Sequence, residues 1–162
     1  MQRFIALAFS TLFLLSLNAA TPEIHYTVIV SLDGFRWDYP NMYKTPNLDR
    51  MATDGVKAVM LPSYPASTFP NHYTLATGLV PDHHGIINNT FWDAKNRRQY
   101  SMGDSATRNN PEYYLGEPIW ITAQKQGVKT GNMYWVGSDI AIKKSHPTYY
   151  RPWNAKPFLT FE

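Results

Sequence analysis

The run His25 to Leu32 (HYTVIVSL) constrains this chain most. Its apolar and β-branched residues follow one another without clean alternation, the look of a strand buried on both faces. Such strands belong to mostly parallel sheets covered by helices, and the sequence offers those helices. Thr45-Pro46 reads as a hydroxyl cap with proline in the first turn, and Gly55 closes that helix. Val56 to Met60 reads as a second strand. Thr68 to Thr77 reads as a helix joined through Pro70 and stopped by Gly78. Gly116-Glu117-Pro118 opens a third helix, with Ile119, Trp120 and Ala123 on its apolar face and Gly127 at its end. Val128 to Val136 reads as another strand. This alternation predicts an α/β fold with helices on both faces of the sheet. The polar, aromatic segment from Asn88 to Tyr114 yields no assignment.

Composition removes several kinds of chemistry. The 162 residues contain no cysteine, which excludes a disulfide scaffold, a zinc finger and a thiol nucleophile. A net charge of +3 without any Lys/Arg run gives no footing for a nucleic-acid-binding module. Any reaction must come from oxygen and imidazole. At the start, Arg3 precedes an apolar run from Phe4 to Leu17, followed by Asn18, Ala19 and Ala20. That run is short of the roughly 20 residues that span a bilayer. Residues 1–20 are therefore expected to be a cleavable export signal, with a retained anchor as the alternative. The product would be periplasmic or extracellular, with no membrane attachment after cleavage.

Parallel sheets place their chemistry at the carboxyl ends of their strands. Asp33-Gly34 follows the first expected strand, so its carboxylate would project from the sheet edge. Thr68 follows the second and begins a helix, where free N–H groups and the helix dipole favour an anion. Each has a plain structural alternative. Asp33 also suits a turn before glycine, and Thr68 also suits a simple helix cap.

Taken together, SLDGFR from Ser31, STFPNHY from Ser67 and TGLVPDHHGI from Thr77 resemble the nucleotide pyrophosphatase/phosphodiesterase family of the alkaline phosphatase superfamily. Gly116-Glu117-Pro118-Ile119-Trp120 and Gly137-Ser138-Asp139 look like family sequence as well. The resemblance implies a three-layer α/β/α sandwich with two zinc ions at the sheet edge. It makes Asp33 a zinc ligand, and Thr68 both the nucleophile and a zinc contact. It makes Asn89 a donor to a phosphate oxygen, with Asn88 as runner-up. The implied substrate is a small phosphodiester or nucleotide. Zinc would lower the pKa of the threonine hydroxyl without a dedicated base. A neutral asparagine donor suits a diester, which carries one charge fewer than a monoester. The implied course is attack by Thr68 on phosphorus, a phosphothreonine intermediate, then hydrolysis.

Other residues are expected to be structural. His83-His84 looks like a metal pair, yet neighbouring side chains on a loop seldom converge on one ion. His72 reads as a supporting or core histidine. Tyr134, Trp135, Tyr149 and Tyr150 read as core more than as a base-stacking platform. Asn88-Asn89-Thr90 matches a glycosylation acceptor, rejected because a glycan would obstruct the neighbouring asparagine. The family pattern also needs an Asp-x-x-x-His run and an Asp-His pair, which this sequence lacks. The remaining zinc ligands are expected beyond Glu162, making residues 21–162 the amino-terminal part of a catalytic domain. A phosphomonoesterase, a phosphonoacetate hydrolase and a noncatalytic relic are the alternatives.

Overall fold

A computed structural model describes residues 25–153. The chain divides into two units, residues 1–32 and 33–162. The expected export signal at 1–20 lies outside the described residues.

In the first unit, residues 25–32 carry no regular element. Val28 and Val30 are 82% and 75% exposed. The strand expected here is not formed, and neither is the one expected over 56–60, where Val56 is 94% exposed. The reason is physical: a β-branched run becomes a strand only when a neighbour takes up its backbone N–H and C=O groups. Neither segment belongs to a described strand pair.

The second unit is ordered by local helices and two small sheets. Helix α1 (Tyr39–Met42) is a single turn, and α2 (Pro46–Asp54) follows Thr45 and stops at Gly55 as expected, although the Thr45 hydroxyl makes no cap bond and donates to Asp49 Oδ1 at 3.1 Å instead. Helix α3 (Thr68–Thr77) also has its expected bounds and ends on Gly78 in the left-handed region. It buries Pro70, Tyr73 and Ala76, a three-residue spacing that holds one face inward. Helix α4 (Pro81–His84) packs against α3. Gly85 then turns with φ +87°, and a Cβ there would lie 2.5 Å from the Tyr113 carbonyl oxygen, so only glycine fits.

The segment without a sequence assignment holds an antiparallel hairpin. β1 (Thr90–Asp93) pairs with β2 (Arg98–Ser101), placing Phe91 opposite Tyr100. Their rings stack at 4.7 Å, a cross-strand contact that favours this register. A short α5 (Ser105–Arg108) and a 3₁₀ turn (Pro111–Tyr113) lead to α6 (Ile119–Lys125), which packs on α3. The strand expected over 128–136 shrinks to β3 (Gly131–Met133), paired in parallel with β4 (Tyr149–Arg151). Tyr134 adopts φ +57°, which leaves the extended region and ends the strand.

The core gathers Tyr73, Ile86, Tyr100, Tyr114, Trp120 and Ile142 with their neighbours. Tyr73, Tyr100 and Tyr114 keep their hydroxyls partnered, as burial demands. Tyr73 donates to the Leu115 carbonyl at 3.0 Å, and the Tyr100 and Tyr114 hydroxyls meet at 3.1 Å. Burial pushes the Tyr100 hydroxyl up to about 12 and raises Tyr73 and Tyr114 as well.

Candidate active site

The start of α3 is where separated parts of the second unit converge. Thr68 occupies the first helical position after Ser67, and its hydroxyl donates to Asp33 Oδ2 at 3.2 Å. Thirty-five residues separate the two side chains, so tertiary structure, not a local turn, brings them together. Ser67 is the N-cap residue but makes no side-chain cap bond. Its hydroxyl donates instead to Asn88 Oδ1 at 3.0 Å. The helix amide at Phe69, which needs a partner, donates to Asn89 Oδ1 at 2.9 Å.

This capping from across space orients Asn89. A backbone N–H can only donate, so the carboxamide oxygen must face Phe69. The Asn89 NH₂ is then the end of the side chain available to donate at the helix start. Asn88 Oδ1 also accepts from the Asn89 amide at 2.8 Å, which fixes the turn. Asn89 is half-buried and Asn88 exposed. Arg36, the cation of the Asp33 loop, is tied to Asp38 through Nε at 2.6 Å and a second contact through Nη2. The Arg36 hydrogen bond holds the Asp38 carboxyl below its ordinary range, and the pair engages the Arg36 guanidinium.

The oxygen pair suits a cation. Two oxygens each about 2.0–2.2 Å from a tetrahedral ion lie roughly 3.3–3.6 Å apart, close to the spacing of Thr68 Oγ1 and Asp33 Oδ2. One carboxylate and one hydroxyl make only part of a shell. No group of three or more His, Cys, Asp or Glu residues gathers for a metal among the described residues.

His84 and His72 have structural roles. His84 is fully buried, accepting from the Ile86 amide through Nδ1 at 3.2 Å, with Nε2 3.1 Å from the Pro70 carbonyl. The two partners fix the neutral Nε2–H tautomer. Burial lowers its pKa further from the usual histidine value. His72 Nδ1 lies 2.8 Å from the Thr68 carbonyl, and Trp135 Nε1 donates to the His72 carbonyl at 3.0 Å. The aromatic expectation needs correcting. Tyr134, Tyr149 and Tyr150 are 40%, 65% and 44% exposed, and the buried aromatic cluster comes mainly from the segment whose sequence yields no assignment. A further residue that sequence reasoning passes over is Asn71, whose carboxamide makes four hydrogen bonds to the segment just before Thr68. The available signal is its place inside TFPNHY, one turn after the threonine.

The sequence profile of the type I phosphodiesterase / nucleotide pyrophosphatase family matches residues 27–159. The chain belongs to that family. It is 43% identical over 138 residues to bovine (Bos taurus) ectonucleotide pyrophosphatase/phosphodiesterase family member 3, covering 83% of this chain and 15% of the relative. Venom phosphodiesterase 2 of Crotalus adamanteus is 41% identical over 130 residues, covering 78% of this chain and 16% of that protein. Among solved structures, murine ectonucleotide pyrophosphatase / phosphodiesterase 5 matches with a TM-score of 0.71 and 37% identity, covering 75% of this chain and 33% of its own. An inactive threonine-to-alanine variant of that murine protein, in complex with AMP, matches with a TM-score of 0.72 and 36% identity over 76% of this chain and 33% of its own. The chain therefore spans about a seventh of those curated relatives and a third of the solved chains. The α/β class follows from the same likeness, with this chain carrying part of the fold. No helix among the described residues is long and apolar enough to cross a membrane.

Proposed function

We propose that the protein containing this segment hydrolyses phosphodiester or pyrophosphate bonds of small nucleotide-type substrates, with Thr68 as nucleophile. The observation that carries the reading is the Thr68 Oγ1 to Asp33 Oδ2 contact at the first turn of α3. The inactivity of the murine relative's threonine-to-alanine variant and its complex with AMP support both the residue type and the substrate class. Asp33 and Thr68 would hold a zinc ion, with a second zinc nearby and further ligands that the described residues do not gather. When bound, that metal supplies Lewis acidity, which lowers the hydroxyl pKa and offsets phosphate charge.

The chain's own residues divide the remaining work. Asp33 sits beside the Thr68 oxygen and helps to fix where it points, so that a lone pair can face phosphorus. As the Oγ–phosphorus bond forms, the phosphorus–oxygen bond to the leaving group breaks and that oxygen departs with the electron pair. The hydroxyl proton passes to solvent water as the bond forms, and in the second displacement the attacking water gives up a proton while the departing threonine oxygen takes one back. The Asn89 NH₂ donates to a nonbridging oxygen as charge builds there. Water then attacks phosphorus and the threonine oxygen leaves, restoring Thr68. Residues 21–162 would form part of this catalytic domain, with a signal at 1–20 directing its export. The "ecto" and "venom" names of the relatives agree with export.

The stereochemical course tests the two-step reading. Each in-line displacement inverts phosphorus, so hydrolysis of a chiral phosphorothioate diester should proceed with net retention. Net inversion would mean that water attacks directly and that Thr68 is not a nucleophile.

A further inference from the structure

We propose that Asn71 is a positioning residue that fixes the nucleophile by clamping the segment before it; the inference rests on the reading of Thr68 given above. Asn71 Oδ1 accepts from the Ser63 amide at 2.7 Å. Its Nδ2 donates to the carbonyls of Pro65 at 2.9 Å and Ser67 at 3.0 Å, with Ser63 O at 3.3 Å. The obligate backbone donor and acceptors set the carboxamide orientation. With two hydrogens for three carbonyls, Pro65 and Ser67 take the short bonds and Ser63 shares one.

The Ser67 carbonyl matters most. It lies in the same rigid peptide plane as the Thr68 nitrogen, and it also accepts from the Asn71 backbone amide at 3.2 Å. Two bonds to one oxygen fix the plane from which Thr68 hangs. What remains free is the Thr68 side-chain torsion, narrowed by β-branching and directed by Asp33. On the far side, Asn88 and Asn89 hold Ser67 Oγ and the Phe69 amide. The residues on both sides of Thr68 are thus pinned, from within α3 and from the turn that presents Asn89.

Asparagine is the residue this clamp requires. An aspartate in its place would keep the acceptor for Ser63 but set a carboxylate against three carbonyl oxygens, so Asn71→Asp removes the clamp at constant shape. Asn71→Ser keeps one donor and is the milder change. A nucleophile misplaced by about 1 Å loses roughly 10²-fold in rate, while substrate contacts made elsewhere are untouched.

In the metal-loaded complete enzyme, assayed with an aryl phosphodiester, Asn71→Asp should lower kcat by about 10²-fold with little change in KM. Asn71→Ser should lie between it and the wild type, and supplies the kinetics should the aspartate variant not fold. Hydrogen exchange gives a readout apart from turnover: Asn71→Ala should speed exchange in a peptide covering 61–68 and leave α6 unchanged. A folded variant with wild-type kcat, a loss confined to KM, or unchanged exchange over 61–68 would overturn the clamp. Full activity in Thr68→Ala would overturn the nucleophile reading and this inference together, whereas an inactive Thr68→Ala beside a fully active Asn71→Asp would overturn the clamp alone.

Discussion

Two regions of this chain both carry large apolar residues and treat them in opposite ways. Between Thr68 and Ile142, aromatic and aliphatic residues are buried against one another, Tyr73 edge-on to Tyr114 for example. Ile86, Tyr73 and Ile142 have no exposed surface. Over 25–32 and 56–61, Val28 and Leu61 stand 82% and 86% exposed. The difference lies in where each finds its hydrogen bonds. Helices and hairpins satisfy most of their backbone locally, so β1–β2 pair with each other and α3 needs only its first turn capped from elsewhere. A parallel strand depends on neighbours distant in sequence, and the β-branched runs find none among the described residues.

The largest effect expected from this contrast is all-or-none. Residues 21–162 expressed alone, with zinc added, should show no diesterase turnover, because a carboxylate and a hydroxyl hold zinc weakly. Zinc-dependent turnover would break the comparison, since the exposed runs would then be no handicap. Hydrogen exchange sharpens it: in that segment, amides of α3 and β1–β2 should exchange more slowly than those of 25–32 and 56–60. In the complete enzyme, where the runs are expected to pair as strands, the gap should close.

Within the packed region, Ile86→Ala in the complete enzyme should cost about 2–5 kcal/mol in denaturant unfolding, as full burial dictates. A loss under about 1 kcal/mol would mean that the region is loosely packed. At the site, Asn89→Ala should reduce diester hydrolysis by roughly 10²-fold through loss of one transition-state donor, and Asn88→Ala much less. Reversed behaviour would transfer the role to the asparagine that holds Ser67.

The smallest effect is a pH dependence. Burial lowers the His84 pKa from 6.5, so below that value the unfolded chain takes up the proton first and stability falls with pH. His84→Gln should flatten the acid limb of a stability–pH curve below about 6.5. An unchanged limb would show that His84 titrates no differently in the folded protein.

Helix positions are legible in the sequence where caps are local. Thr45-Pro46, Gly55 and Gly78 mark α2 and α3 at their observed ends. The runs over 25–32 and 56–60 mislead because composition reports what a segment can bury, not whether a partner is present. The hairpin escapes sequence reading because its register rests on a cross-strand pair, Phe91 with Tyr100, that no short window contains. For the site, expected strand ends and helix starts make Asp33 and Thr68 candidates with plain structural alternatives, and it is family likeness that gives them roles and adds Asn89. That Asn89 caps α3 from across space, and that Asn71 grips the Ser67 carbonyl, depend on tertiary hydrogen bonds with no local signature.

On this reading the first turn of α3 presents Thr68, beside Asp33, as the attacking group. Thr68→Ala in the complete enzyme, assayed with an aryl phosphodiester alongside metal content and thermal unfolding, tests it most directly. The predicted result is loss of turnover with the fold and most of the bound metal retained, since Ser67 is engaged with Asn88 and no neighbour replaces the hydroxyl. Activity within about tenfold of wild type, roughly 1.4 kcal/mol in the barrier, would contradict it.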